Sequence, residues 1–81
     1  MVKVKFFGSA RVMLKEKEIE GDFASVKDVL EFVADKYGVT VKDMKQHLIY
    51  VNEVNITKLK MYKTKLNDGD IIMLLSPASG G

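Results

Sequence analysis

Only one stretch of this sequence has the length and period of a full helix, and it decides which fold classes are open. Val26, Val29, Leu30, Val33 and Tyr37 fall at i, i+3, i+4, i+7 and i+11, a single apolar stripe. Ser25 stands where an N-cap hydroxyl is wanted, and Asp28 sits in the first turn, where the helix dipole favours an acid. Gly38 is placed to end the helix. The other apolar residues come in runs of strand length. Val2-Lys3-Val4-Lys5-Phe6 alternates apolar and charged, as a strand with one buried face does. Residues 15–20 read as a charged second strand anchored by Ile19, protected by charge as a sheet edge is. Leu48 to Val51 is a third strand, Asn52-Glu53 a tight turn into a short strand over 54–56, and Ile71 to Leu75 a continuously apolar last strand. Gly8-Ser9-Ala10 reads as a loop carrying Arg11, Thr40 as the cap of a short helix through Met44, and 57–65 as irregular and basic. One substantial helix covers one face of a sheet, so a two-layer α+β domain of four to five strands is expected.

The chain of 81 residues is expected to be a single domain over 1–81, with a folded body over 1–75 and a flexible tail over 76–81. It has no cysteine, which excludes disulfides, thiolate metal sites and a catalytic thiol. Stability then has to come from an apolar core, for which 47% hydrophobic residues suffice. No apolar run approaches a membrane span, and the alternating opening is not a signal peptide, so a cytoplasmic location is expected. A net charge of +2 with both signs intermixed argues against a dedicated nucleic-acid binder.

Two features are left over once the core is assigned. If Val2, Val4, Phe6, Ile72 and Leu74 face the helix, then Phe7, Ile71, Met73 and Leu75 lie on the open face as a surplus apolar patch, a candidate docking surface. Past Pro77, which cannot donate to a β ladder, Ala78-Ser79-Gly80-Gly81 loses all bulk. Six extended residues from Ser76 to Gly81 reach about 20 Å. That is long enough to enter a partner's active site, and two glycines pass where a Cβ would not. The other candidates are weaker. His47 has no cysteine or carboxylate pair to complete a metal or triad signature, so no metal site is expected. Asp68 and Asp70 flank Gly69 as turn residues, the serines lack a nucleophile elbow, and the lysines of 58–65 read as a solvated edge. By elimination the terminal carboxylate is the reactive group.

Phe6-Phe7-Gly8-Ser9-Ala10-Arg11 after the first strand, Asn52 after the third, and Leu66-Asn67-Asp68-Gly69-Asp70 leading into an apolar strand and Ser-Gly-Gly resemble the small subunit of molybdopterin synthase, of the MoaD/ThiS family. The resemblance spans the chain and implies a β-grasp, ubiquitin-like fold with a mixed sheet. It further implies a sulfur carrier that binds no cofactor of its own. An E1-like enzyme using ATP and magnesium adenylates the Gly81 carboxylate, sulfur replaces the AMP as a thiocarboxylate, and the large synthase subunit receives the tail. Gly81 would then bear the reactive group, Gly80 and Ser79 thread the channel, and Phe7, Met73 and Leu75 dock the partner. The related thiamine-pathway carrier shares the fold and the Gly-Gly end, and family members also serve tRNA thiolation or protein conjugation. An interaction module with an inert tail, or an RNA-contacting module using Lys58 to Lys65, are the readings from other classes. Two departures stand out: Val12 where the family often has Glu, which leaves the role of Arg11 open, and Ser76-Pro77 where it usually has two prolines, which predicts a looser tail.

Overall fold

In the computed structural model, which describes residues 1–77, the alternating opening segment forms strand β1 (Val2–Phe6) inside the sheet. Val2, Val4 and Phe6 are buried, while Lys3 and Lys5 point to the other face. The apolar segment near the end forms β5 (Ile71–Leu75) and pairs with β1 in parallel, Lys3 beside Ile71 through Phe6 beside Leu74. Strand β2 (Glu18–Gly21) runs antiparallel along the free side of β1, and β3 (Leu48–Val51) runs antiparallel to β5. A two-residue β4 (Val54–Asn55) closes the order β2-β1-β5-β3-β4, a mixed five-stranded sheet. β2 is an edge, as its charges require: Glu18 and Glu20 are exposed, and Ile19 packs against the core.

Of the three helices among the described residues, α1 (Ser9–Leu14), α2 (Val26–Tyr37) and α3 (Val41–Lys45), α2 is the main one. Its sequence signals are all used. Ser25 Oγ accepts from the Asp28 N–H at 3.3 Å, and Gly38 ends the helix at φ 70°. Val26, Val29, Leu30 and Val33 are buried against the inner face of the sheet, and Tyr37 meets Phe6 edge-on at 6.4 Å. Burying each such aliphatic side chain contributes about 1.5–3 kcal/mol against about 1 kcal/mol for a cap, so the stripe holds the helix and the cap only places its start. Thr40 caps α3 reciprocally with Asp43.

The structure departs from the sequence reading at three places. The expected loop at 8–11 is the start of α1, which buries Ala10 and Leu14, one turn apart, on the core. Lys15, at φ 56°, ends α1, so β2 begins at Glu18 rather than at Lys15. The segment 57–65 is not shapeless: Ile56–Lys58 and Met61–Lys63 are 3-10 turns, with Ile56 buried. Thr64 is buried beside them, its hydroxyl donating to the Met61 carbonyl at 2.7 Å and accepting from the Lys60 N–H at 3.0 Å. The expectations for Ala78, Ser79, Gly80 and Gly81, and hence for a flexible tail over 76–81, lie largely outside the described residues.

Candidate docking face and tail exit

Because β1 and β5 turn Val2, Val4, Phe6, Ile72 and Leu74 inward, their alternate residues must emerge on the face α2 leaves bare. Ile71 is exposed there, and Met73 and Leu75 are half-buried. Leu48 lies opposite Leu75, and Tyr50 opposite Met73. The apolar patch is therefore broader than β5 alone, with β3 adding Leu48 and Tyr50. Lys5 stands beside Met73, and Lys3 pairs with Glu18 at 3.8 Å. A shallow cleft of about 280 Å3 opens between Lys5, Asn52, Glu53, Ile71 and Met73. Leu48, Tyr50 and Lys5 were not among the expected docking residues. Their signal was present, since alternation in a strand that buries Ile49 and Val51 turns Leu48 and Tyr50 outward.

Phe7 follows β1 directly, and its N–H donates to the Leu74 carbonyl at 2.9 Å, which sets it at the same end of the sheet as Leu75. Its ring is on the surface, with the Arg11 guanidinium 5.9 Å from its centroid. Arg11, whose role the sequence left open, thus caps an aromatic at the rim of the patch.

The chain leaves the sheet at this same end. Ser76 follows the last residue of β5, and its Oγ accepts a hydrogen bond from the Ser9 N–H at 2.7 Å. The hydroxyl lies against Gly8, at φ 57°, where an added Cβ would overlap it. Where the resemblance predicts a second proline and hence a stiff backbone, this chain has a hydrogen-bonded serine. Ser79, Gly80 and Gly81 lie beyond the described residues.

At the opposite end of β5 a network sets the strand's start. Asn52 and Glu53, at φ 50° and 69°, form the two-residue turn between β3 and β4. The Asn52 amide donates to Asp70 Oδ1 at 2.9 Å and accepts from the Ile71 N–H at 3.0 Å. Asp70 Oδ2 accepts in turn from the Asn67 N–H at 2.8 Å, and Asp68 meets the terminal amino group of Met1. Both aspartates are turn residues, as expected.

The remaining candidates take structural places. His47 joins α3 to β3, with Nδ1 at 3.1 Å from the Asp43 carbonyl oxygen. Among the described residues no three His, Cys, Asp or Glu side chains gather as a metal site would require. Lys58, Leu59, Lys60, Thr64 and Lys65 line a cleft of about 480 Å3 with little but lysine stems and Leu59 for walls. One titration is displaced: burial, then the charge of Glu16 and its hydrogen bond at 3.5 Å, hold the Tyr37 hydroxyl above its ordinary value. No helix among the described residues is long and apolar enough to cross a membrane.

Comparison with known proteins agrees with this arrangement. A sequence search of curated proteins finds no match. Among solved structures, the small archaeal modifier protein 1 of Methanosarcina acetivorans is 30% identical, with a TM-score of 0.82 over 99% of this chain and 95% of that one. A chain from the complex of subunits 1 and 2 of the Helicobacter pylori molybdopterin-converting factor is 29% identical, with a TM-score of 0.71 over 99% of this chain and 97% of that one. A chain of the Amycolatopsis orientalis BexX/CysO complex, 21% identical with a TM-score of 0.80 and complete coverage of both chains, shows the shared fold. The model of the ThiS family matches residues 4–81. With its ubiquitin-like β-grasp sheet and this match over nearly its whole length, the chain belongs to the ThiS family of ubiquitin-like sulfur carriers.

Proposed function

We propose that this chain carries sulfur on the carboxylate of Gly81 for assembly of the molybdenum or tungsten cofactor. The observation that carries the reading is the juxtaposition of an uncovered apolar face with the exit of the chain at Ser76, on a body 29% identical to a chain of a two-subunit molybdopterin-converting factor. A Gly81 carboxylate oxygen attacks the α-phosphorus of ATP in an E1-like partner, with magnesium, and pyrophosphate leaves. A sulfur nucleophile then displaces AMP to give the thiocarboxylate. Phe7, Met73 and Leu75, joined by Leu48 and Tyr50, seat the body on the large synthase subunit, while Ser79 and Gly80 pass through its channel. Sulfur moves to the pterin precursor and the carrier leaves as the carboxylate.

A second reading is favoured by the 30% identity to an archaeal modifier protein, namely that the activated Gly81 is joined to lysines of other proteins. The same activation serves both, so one experiment addresses them together. The C-terminal peptide of the protein purified from its source is weighed: replacement of one oxygen by sulfur supports the carrier. Removal of Gly81 should abolish adenylation and leave the melting temperature almost unchanged. A truncated chain that is still charged, or a native C-terminus found only as carboxylate beside an active E1-like enzyme, overturns the proposal. A carboxylate pool accompanied by Gly81–lysine isopeptides moves the assignment to the second reading.

A further inference from the structure

Helix α1 begins without a cap of its own. Gly8 holds the N-cap position with no side chain to offer, and the Ser9 N–H finds its acceptor 67 residues away, in Ser76 Oγ at 2.7 Å. The same hydroxyl occupies the space that a side chain at position 8 would fill. One residue earlier, the Phe7 N–H donates to the Leu74 carbonyl. The turn Phe7-Gly8-Ser9 therefore grips the end of β5 on alternate residues, Leu74 through the backbone and Ser76 through its side chain. Ladder pairing stops at Leu75 opposite Leu48, and Pro77 has no N–H to extend it. Past Leu75, the Ser9–Ser76 contact is what restrains the direction of the chain among the described residues.

We propose that this contact is a latch that aims the C-terminal segment, making Ser76 a positioning residue for the loading of Gly81; the proposal rests on the sulfur-carrier reading above. The leverage is large. Five residues span at most about 17 Å, so a swing of about 30° at Ser76 can move the far end by up to about 9 Å. That exceeds the tolerance of any channel built to admit a bare glycine backbone. The latch also lies between Phe7 and Arg11, at the turn that leads into α1, so a partner that seats against those two side chains holds the part of the body from which the tail is aimed.

The absence of cysteine supplies the test, because Ala78→Cys offers one unambiguous attachment point for a nitroxide label. Paramagnetic broadening of the body's amides is mapped in the parent, in Ser76→Ala, in Ser76→Thr and in Gly8→Ala, which breaks the contact from the other side. The parent and Ser76→Thr should show broadening concentrated on one side of the sheet's end, with Ser76→Ala and Gly8→Ala spreading it. ATP–pyrophosphate exchange with the E1-like enzyme, run without the label, should show KM for Ser76→Ala raised about 3- to 10-fold, the equilibrium worth of one hydrogen bond, with kcat unchanged and with recovery in Ser76→Thr. An identical broadening map in Ser76→Ala, or an unchanged KM beside a charged parent, overturns the latch while leaving the carrier reading in place. A parent chain that is never charged overturns the carrier reading, and the positioning role with it, whatever the maps show.

Discussion

Replacing Asn52 by alanine should destabilise the protein by about 2–3 kcal/mol, and the figure can be built up from the structure. The side chain makes two hydrogen bonds, to Asp70 Oδ1 at 2.9 Å and from the Ile71 N–H at 3.0 Å, in an exposed setting. At about 0.5–1 kcal/mol each they account for about 1–2 kcal/mol. The backbone sits at φ 50°, which asparagine tolerates and alanine does not, adding about 1 kcal/mol. Asn52→Gly separates the two contributions, since it removes both hydrogen bonds and keeps the permitted φ. It should stand about 1 kcal/mol above Asn52→Ala. Urea unfolding followed by circular dichroism gives both values, provided the m-values match that of the parent. For a domain of this size, the alanine variant should melt about 8–24 °C lower. Equal stabilities for the alanine and glycine variants would refute the conformational part, and a parent-like alanine variant would refute the whole account. The position matters because Asn52 sets the register in which β5 starts, and a slip of one residue would exchange the buried Ile72 and Leu74 for the outward Met73.

Three further outcomes follow from the same geometry. Gly38→Ala meets no atom within 4 Å, so its cost should be the φ 70° conformation alone, about 1 kcal/mol, read as a shift of the urea midpoint. The Tyr37 hydroxyl, held above its ordinary value of 10.0 by burial and by Glu16, binds its proton more tightly folded than unfolded. Its contribution is fully present below pH 10 and is lost as pH rises past 10 through the folded value, so melting temperatures taken on either side should fall more steeply in the parent than in Tyr37→Phe. Met73→Glu puts a charge in the centre of the open face without entering the core; under the proposed carrier function it should weaken capture by a large synthase subunit at least tenfold, about 1.4 kcal/mol, with the melting temperature within a few degrees of the parent. Unchanged capture in calorimetry would remove that face from the interface.

The parts of the fold legible in sequence are those whose signals are local. Ser25, Asp28, the stripe from Val26 to Tyr37 and Gly38 sit within fourteen residues, and each is used as written. The alternation of β1 and the run of β5 likewise fixed which residues face inward. Helix α1 was missed because its evidence is remote: it has two core anchors, Ala10 and Leu14, and the hydroxyl on its first N–H belongs to Ser76. The order within 57–65 was hidden for a related reason, since Thr64 closes its turns through a buried side chain that sequence alone reads as polar and exposed. Of the residues on the open face, Met73 and Leu75 follow from period two, whereas the contribution of β3 needed the antiparallel pairing with β5 to become visible.

The strand that comes last of the five in sequence lies in the middle of the sheet, between β1 and β3. During translation, then, the first seventy residues have no template on which to join their two halves, and both β1 and β3 wait with an open ladder. Cooperative closure becomes possible only when Ile71–Leu75 has cleared the ribosome, moments before the residues that follow it. A chain that stops before Ile71 would lack the strand that joins β1 to β3 and would therefore remain open to proteolysis.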